Sequence, residues 1–417
     1  MHCAPSSLPP SPRAALQIAP AVSLTVHPAQ DGKLHEMGPA FEERAWAKLK
    51  LGCPTTGPPT FDGLINGPML PLSPAVAETL HYETLYTAYT DVQHASLAIN
   101  MASSLQTATE ALSALTPAQW CQAFFGLSSA AVLAIQIIPK AAQHALLDYG
   151  ARSPAGPDNG TRDTKVQGGT RFNDLVEAVA SVGQIPHAWF MHFYVASVAA
   201  SVFWAFEYLR GGHLMQCIAA RQAQSGSPSM NLAQTLLVWA LMALQASRRL
   251  YECFFVMKPG SSKMWFVHWL LGLGFYLCMS VSVWVDGSAS LQAANGADGS
   301  KLRSLSVITG TATYFYGWSR QHWCHKHLAS LRKYSLPERG LFRYLVCPHY
   351  TCECLIYLGL AIAAAPEGQW INRTVLGALW FIVANLGTTA DGTKQWYAQR
   401  FGAEKVAARW RMIPFVF

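Results

Sequence analysis

Charged residues are scarce in this chain of 417 residues, where Asp, Glu, Lys and Arg together make up 13% and hydrophobic residues 51%. Soluble globular domains carry about 25% charged residues, so the shortage argues against a soluble enzyme and favours a membrane protein. No run of Lys and Arg is long enough for a phosphate-binding patch, which argues against nucleic acid as a partner. The net charge of +7 instead fits basic cytosolic loops between transmembrane helices.

Several sequence signatures are missing, and each absence excludes a class of protein. No G-x-G-x-x-G follows a predicted strand, so we do not expect a Rossmann domain. No internal repeat is visible, which argues against an inverted-repeat transporter. The ten cysteines lack the regular framework of a small secreted domain. Proline and charge interrupt every apolar run in the first 75 residues, so no signal peptide is expected there.

Three regions of the chain differ in composition. Residues 1–75 are rich in Pro, Ser and Gly and are predicted to be disordered. Residues 76–116 are predicted to form a helical or loosely ordered extension, and residues 117–417 a membrane domain, because apolar runs of about 20 residues can cross a bilayer as helices. We therefore predict an all-α, polytopic bundle of about seven transmembrane helices. They are expected at about 117–139, 186–208, 232–257, 264–285, 303–323, 351–366 and 370–390.

Basic residues predict how the bundle is oriented. They are concentrated in the loop between the fifth and sixth predicted spans and again in the C-terminal tail. The positive-inside rule places both segments in the cytosol, and two crossings between them agree with that placement. The residues concerned are Lys326, Arg332, Lys333, Arg339 and Arg343 in the loop, and Arg400, Lys405, Arg409 and Arg411 in the tail.

His, Cys and Glu residues are concentrated between positions 321 and 357, where three kinds of site have to be compared. Structural zinc usually takes pairs spaced C-x₂₋₄-C or H-x₃₋₅-H, whereas this segment offers H-x-C, H-x-H and C-x-C. A membrane di-iron site needs histidine boxes on several segments, and only His322, His325 and His327 form such a group. We therefore expect no metal.

The third kind of site is a nucleotide pocket built from membrane helices and cytosolic loops. The planar guanidinium group of Arg binds two phosphate oxygens at once. Glu353 follows His349 by four residues, so both side chains are expected on one helix face, pointing into one cavity. The residues that we expect to donate to phosphates and to a carboxamide are His325, Arg332, His349, Lys394 and Arg409.

Two segments resemble the steroid 5α-reductase family. The segment CHKHLASLRKYSLPERGLFRYLVCPHYTCECLIYLGLA is similar to the family's C-terminal signature, in which LxxLR leads to a Tyr and a Pro and then to GLFxYVxxPNYxxE. The chain end WYAQRFGAEKVAARWRMIPFVF resembles the family terminus, with an aromatic-Tyr pair and a closing IPF. The resemblance covers roughly residues 120–417. Matching positions include Leu328, Leu331, Arg332, Tyr334, Pro337, Phe342, Tyr344, Pro348, Tyr350, Glu353, Tyr397, Arg409 and Pro414.

Within that family, the chain resembles the branch that saturates polyprenyl lipids. Steroid-acting members carry Asn-x-His-Ser-Asp before LxxLR, whereas this chain has Gln321, Cys324 and His325 there. The segments IPHAWFMHFYVAS and SRRLYECFFV are also similar to the polyprenyl branch. The chain departs from the family pattern at His349, where the PNY motif has Asn.

The resemblance implies an NADPH-dependent oxidoreductase that acts on a carbon–carbon double bond. It implies a multi-pass protein of the endoplasmic reticulum membrane, with its cofactor side facing the cytosol, that supplies dolichol for protein N-glycosylation. The C-terminal part, 303–417, is expected to bind the cofactor. Five further residues match the motifs and are expected to line the cofactor site together with the donors named above. They are Tyr334, Phe342, Tyr350, Glu353 and Tyr397.

The chemistry of the reaction predicts the substrate and the catalytic groups. A hydride attacks an alkene readily only if the resulting charge is delocalised into a carbonyl, so we expect polyprenal rather than polyprenol to be the direct substrate. A Tyr or an acid must then stabilise the aldehyde oxygen. The candidates are Tyr251, Glu252 and His192, with Tyr194 beside them. For Glu252 the alternative role is a buried ion pair with Arg248 and Arg249.

Two other functions stay open at this level. The first is a 3-oxo-5α-steroid 4-dehydrogenase or another enone reductase, which the pattern before LxxLR disfavours. The second is a non-enzymatic membrane protein that binds lipid. Polar residues clustered inside membrane helices argue against the second, because their burial is costly unless they have a use. The oligomeric state is not predicted.

Overall fold

The structure, a computed structural model, describes residues 74–147, 171–258, 260, 262–292, 299–332 and 335–417. The region predicted to be disordered therefore lies outside the described residues, except for its last two positions. The chain divides into two units, 1–94 and 95–417.

The described residues form helices joined by short 3₁₀ turns and two strands. In chain order the helices are α1 (Pro74–Ala114), α2 (Pro117–Ala134), α3 (Lys140–Leu147), α4 (Arg171–Ser181), α5 (Met191–Arg210), α6 (His213–Ala223), α7 (Leu232–Phe255), α8 (Phe266–Val285), α9 (Ser288–Gln292), α10 (Leu305–Ser330), α11 (Pro348–Ala363), α12 (Arg373–Phe401) and α13 (Glu404–Ala407).

Among the described residues, four helical segments are long and apolar enough to cross a membrane. Three further predicted spans correspond to α7, α10 and α11. Of these, α7 buries charged residues, and α11 has only 16 residues, fewer than the about 20 that cross a bilayer. An all-α, polytopic membrane bundle is thus confirmed. The four segments are Pro117–Ile137, His187–Arg210, Phe266–Val285 and Arg373–Phe401.

Local capping signals explain where the helices begin. Thr116 and Gln119 form a capping box in front of α2, and Pro117 occupies its first turn, where no backbone N–H is needed. The side chains of Asn231, Ser304 and Asn372 accept backbone N–H groups at the starts of α7, α10 and α12. Each cap satisfies a donor that the first turn of a helix leaves without an intrahelical partner.

Helices α10 and α11 pack with their backbones almost touching. A Cβ atom on Gly310 would lie 2.4 Å from the backbone nitrogen of Ala363, and one on Gly359 would lie 2.5 Å from that of Tyr314. Only glycine permits such an approach, which is a common device for packing membrane helices. The polar residues near the end of α10 are thereby held against the start of α11.

Two short strands pair at the end of the bundle where α5 and α8 begin. Strand β1 (Gln184–Pro186) pairs antiparallel with β2 (Lys263–Trp265), immediately before these two helices. The backbone N–H of Phe266, the first residue of α8, also donates to the carbonyl of Gly183 at 3.0 Å. Because α7 ends shortly before β2, the last turn of α7 lies at this same end.

The C-terminal segment folds back onto the loop between α10 and α11. The backbone N–H groups of Val346 and Cys347 donate to the carbonyls of Trp410 and Arg411 at 2.8 and 3.0 Å. Met412 is fully buried in a small core with Val346 and Cys347. The tail and the loop, both predicted from their basic residues to face one side, therefore pair directly.

Candidate functional site

A fully buried carboxylate lies in the last turns of α7. The side chain of Glu252 has no exposed surface. Nη1 of Arg248 donates to its Oε1 at 2.8 Å, and Nη1 of Arg249 donates to its Oε2. Spacings of four and three residues put both guanidinium groups beside the carboxylate on one face of the helix. The ion pair that the sequence offered as an alternative role for Glu252 is therefore present.

Two histidines of α10 reach the same carboxylate. Nδ1 of His322 lies 2.7 Å from Oε1 of Glu252, and Nδ1 of His325 lies 2.7 Å from its Oε2. Nδ1 of His325 also lies 2.7 Å from Nη1 of Arg249. This nitrogen donates to Glu252 when it carries the proton and accepts from Arg249 when it does not, so the tautomer of His325 decides which bond forms.

A chain of amide groups connects Glu252 to a second carboxylate on α11. Nη2 of Arg248 donates to Oε1 of Gln245 at 2.7 Å and also to Oε1 of Gln321. Nε2 of Gln321 donates to Oε2 of Glu353, and Nε2 of Gln245 donates to the same oxygen at 3.3 Å. Helices α7, α10 and α11 thus share one hydrogen-bonded network, and α5 joins it through the bonds of Tyr194 with Arg249. We call it the Glu252 cluster, and its members are Tyr194, Gln245, Arg248, Arg249, Glu252, Gln321, His322, His325 and Glu353.

Tyr194 of α5 provides the hydroxyl group of this cluster. Its oxygen accepts Nε of Arg249 at 3.2 Å and Nη2 at 2.9 Å, and the guanidinium group also lies 4.8 Å from the ring centroid. A hydroxyl has two lone pairs and one proton. Since Arg249 occupies both lone pairs, the proton of Tyr194 is left to donate elsewhere.

The other two predicted catalytic residues lie outside the Glu252 cluster. Tyr251 is 52% exposed, and its ring packs against Phe255 at a centroid distance of 5.0 Å. His192 lies among aromatic rings, 5.3 Å from Trp189 and 6.1 Å from Trp269. Tyr251 precedes Glu252 by one residue, which turns its side chain about 100° away on the helix and explains its exposure.

Three predicted cofactor residues continue the cluster toward the loop before α11. The ring of His349 lies 5.7 Å from that of His325, 6.3 Å from that of Phe342 and 4.2 Å from that of Tyr350. Phe342 is almost completely buried. The carbonyl of His349 also accepts Nε2 of Gln321 at 3.3 Å. The structure thus brings these residues together with His325 and Glu353.

The predicted basic residues of the C-terminal part form a second group. Nη1 of Arg409 donates to the carbonyl of Pro337 at 2.7 Å, which joins the tail to the loop between α10 and α11. Nζ of Lys394 donates to the carbonyl of Arg409 at 2.6 Å. Tyr397 packs against the small core that also contacts Tyr350.

Two predicted cofactor residues are not brought into either group by the structure. Arg332 is exposed just beyond the end of α10. Its backbone carbonyl accepts the backbone N–H of Ser335. Tyr334 lies outside the described residues.

The donors present fit a nicotinamide cofactor. Three buried polar atoms close to the cluster have no protein partner, namely Nε of Arg248, Nδ1 of His349 and the hydroxyl of Tyr357. Tyr357 lies one helical turn beyond Glu353 on α11 and is fully buried. Buried polar groups are normally hydrogen-bonded, so these atoms point to a polar ligand. Within the described ranges, no group of three or more His, Cys, Asp and Glu side chains has an arrangement suited to a metal ion.

Sequence reasoning missed the parts of the cluster that need tertiary contact. Gln245 was not named, although it is buried on α7, and His322 was considered only as part of a histidine group for a metal, although it contacts Glu252. A signal was present for Gln245, because it precedes Arg248 by three residues and Arg249 by four on one helix face. No local signal pairs His322 with Glu252, since 70 residues separate them.

Comparison with known proteins gives a consistent result. Residues 264–417 match the family model described as 3-oxo-5-alpha-steroid 4-dehydrogenase. The chain is 27% identical over 293 residues to polyprenal reductase 1 of Arabidopsis thaliana, an alignment that covers 59% of this chain and 89% of that protein. It is also 27% identical over 286 residues to polyprenal reductase 1 of Oryza sativa subsp. indica, covering 56% of this chain and 79% of that protein.

A more distant relative shows the same extent of similarity. The chain is 25% identical over 265 residues to the polyprenal reductase of Caenorhabditis elegans, covering 58% of this chain and 82% of that protein. The matched family segment includes α8, α10, α11 and α12, which carry His322, His325, His349, Glu353 and Lys394. The C-terminal part of the chain, residues 264–417, is therefore a domain of the steroid 5α-reductase family, and the chain is similar to polyprenal reductases over most of their length.

Proposed function

We propose that this chain is an NADPH-dependent oxidoreductase that saturates the α-double bond of polyprenal to give dolichal. The proposal rests on one observation above all. A carboxylate with no exposed surface, Glu252, is held by two guanidinium groups and two histidines inside a membrane bundle whose relatives are named polyprenal reductases. Intramembrane ionisable residues are expensive to bury and are therefore functional candidates.

The cofactor site of the proposal uses the two groups of residues described above. His325, His349 and Glu353 line the end that would hold the nicotinamide, where Nδ1 of His349 lacks a protein partner. Arg409 and Lys394 lie toward the tail and would hold phosphates, since each has N–H groups beyond those given to backbone carbonyls. Arg332, Tyr334, Phe342, Tyr350 and Tyr397 complete the proposed set.

NADPH, when bound, supplies a hydride to the β-carbon of the unsaturated aldehyde. The residues of the chain must then stabilise the charge that moves onto the aldehyde oxygen until the enolate takes a proton from water at its α-carbon, which completes the saturated aldehyde. We assign this role to Tyr194, whose O–H proton is oriented by Arg249 and free to donate. Glu252 holds Arg249 and His325 in place for this purpose. Tyr251 and His192 stay candidates from the sequence alone.

The cellular setting follows from the same proposal. Dolichal is one reduction away from dolichol, the lipid on which the glycan for protein N-glycosylation is built. We propose that the protein lies in the endoplasmic reticulum membrane with the loop before α11 and the C-terminal tail in the cytosol. Both segments carry the basic residues on which that orientation depends.

The test uses purified full-length protein, NADPH and three lipids supplied separately: polyprenal, polyprenol and a steroid enone. We expect polyprenal to gain two hydrogens by mass spectrometry at a rate far above the other two. Faster turnover of polyprenol, with no aldehyde present, would overturn the choice of the aldehyde. Preferred turnover of the enone would favour the competing activity, which the description of the matched family model suggests. Lipid binding without NADPH oxidation would indicate a non-enzymatic protein.

A further inference from the structure

A short amphipathic helix next to the bundle leaves an apolar stripe uncovered. Helix α4 and the residue that follows it expose Phe172, Leu175, Val179 and Val182 by 46, 62, 47 and 67%. At 100° per residue, these four side chains fall within one sector about 80° wide. Isolated exposed apolar residues are ordinary, but a continuous stripe along a helix marks an interaction surface.

The rest of the helix surface shows which side faces the protein and which faces water. Ala180 is buried, and Asn173 and Val176 are half-buried on the edge nearest to it. Asp174 and Glu177 are exposed on a charged edge, about 120° and 180° around the helix from the centre of the stripe. The apolar stripe and the charged edge therefore face away from each other, with the protein-facing residues between them on one side, which is the arrangement of a helix lying in a membrane–water interface.

The position of α4 along the chain indicates that the lipid bilayer covers the stripe. Val182 is followed directly by Gly183, whose carbonyl accepts the N–H of Phe266, the first residue of one membrane-crossing helix. The strand pair then leads into the segment His187–Arg210, which is another candidate span. The stripe is thus continuous with the points at which two membrane-crossing segments begin.

We propose that α4 is an interfacial helix whose stripe of Phe172, Leu175, Val179 and Val182 is inserted among the phospholipid acyl chains at that end of the bundle. Asp174 and Glu177 then face water. The last turns of α7, with Glu252, lie at the same end, because α7 ends shortly before β2. The helix consequently fixes the depth at which this end of the bundle sits in the bilayer. This inference does not depend on the proposed reaction.

Photo-crosslinking of the full-length protein in phosphatidylcholine proteoliposomes tests the proposal. A p-benzoylphenylalanine residue is placed at Leu175 or, in a separate variant, at Val179. The matched control carries the same residue at Glu177, on the charged edge. A positive control carries it at Val202, which is 64% exposed on the membrane-crossing helix α5. Adducts are identified by mass spectrometry after irradiation.

We expect phospholipid adducts at Leu175, Val179 and Val202, and at least a tenfold lower yield at Glu177. A dimer-sized protein adduct at Leu175 or Val179 would show that a second copy covers the stripe and would overturn the proposal. Equal phospholipid yields at Leu175 and Glu177, or none at Leu175 and Val179 while Val202 reacts, would also overturn it. The second stripe position keeps the test decisive if one variant does not fold.

Discussion

At the scale of single residues, Glu252 is the central carboxylate of a polar network that joins four helices. Its carboxylate forms ion pairs with Arg248 and Arg249. Its two oxygens also lie 2.7 Å from the Nδ1 atoms of His322 and His325. A buried ion pair is weak evidence of net stability, but removing one partner leaves the others buried and uncompensated. The cost of losing this carboxylate is therefore much larger than that of losing an exposed one.

Replacing Glu252 with Gln tests this role. The amide keeps the size of the side chain but leaves two buried guanidinium groups without an anion, so we expect the free energy of unfolding to fall by about 3–5 kcal/mol. Unfolding of the protein in detergent measures the change, and Glu177→Gln on exposed α4 is the control. A Glu252→Gln variant as stable as the control would contradict the role of the ion pair.

The proton donor is tested by comparing two tyrosines. Tyr194→Phe removes the hydroxyl held by Arg249, so we expect kcat with polyprenal to fall roughly 10²–10³-fold, as for loss of one oxyanion donor. Tyr251→Phe alters a half-exposed side chain outside the cluster and should change kcat by less than about twofold. Steady-state kinetics with saturating NADPH provides the measurement. The opposite order of effects would restore Tyr251 as the donor.

The phosphate-binding role of Arg409 predicts a change in cofactor affinity. Arg409→Gln should raise the KM for NADPH about tenfold, because a hydrogen bond to a charged group contributes about 1.5–3 kcal/mol. Arg343→Gln, which changes an exposed arginine in the loop that the tail contacts, is the matched control. An unchanged KM for Arg409→Gln, with the variant folded, would remove Arg409 from the cofactor site.

Residue-level prediction from the sequence succeeded where partners lie on one helix. The pairing of Glu252 with Arg248 and Arg249 follows from spacings of three and four residues. The contacts of Glu252 with His322 and His325 do not, because α7 and α10 meet only in the folded bundle. Tyr251 was named as a catalytic candidate with Tyr194 only beside it, because the sequence does not show which side of each helix faces the interior of the bundle.

At the scale of elements, the site depends on how closely α10 approaches α11. Gly310 and Gly359 allow their backbones to meet, and this contact sets the distance between Gln321 on α10 and Glu353 on α11. The approach could not be predicted from the apolar pattern, which gives the positions of helices but not their neighbours. The positions themselves were predicted well: the expected 186–208 and 264–285 correspond to the candidate spans His187–Arg210 and Phe266–Val285.

Adding a methyl group at this contact tests its importance. Gly359→Ala places a Cβ 2.5 Å from the backbone nitrogen of Tyr314, so one helix must move, at a cost of about 1–3 kcal/mol. We expect lower thermal stability and lower activity. Gly126→Ala on α2, where nothing lies within 4 Å of the added Cβ, should lower neither. Equal behaviour of the two variants would show that α10 and α11 do not pack in this way.

At the scale of the whole molecule, the bundle gathers the residues of the Glu252 cluster at one end. Tyr194 near the start of α5, Glu252 near the end of α7 and His349 at the start of α11 belong to connected contacts. The C-terminal tail pairs with the loop before α11 and brings Arg409 to the same part of the fold. An apolar lipid approaching from the bilayer and a charged dinucleotide approaching from water would therefore meet there.

The central claim is hydride transfer from NADPH to the double bond of polyprenal, and transfer of a deuterium label tests it most directly. Purified protein is supplied with polyprenal and NADPH deuterated at the transferred position, and the product is examined by mass spectrometry and NMR. We predict dolichal with one deuterium on the β-carbon and an intact aldehyde. Deuterium on the carbonyl carbon, which would mean reduction to an alcohol, or a product without deuterium would contradict the account.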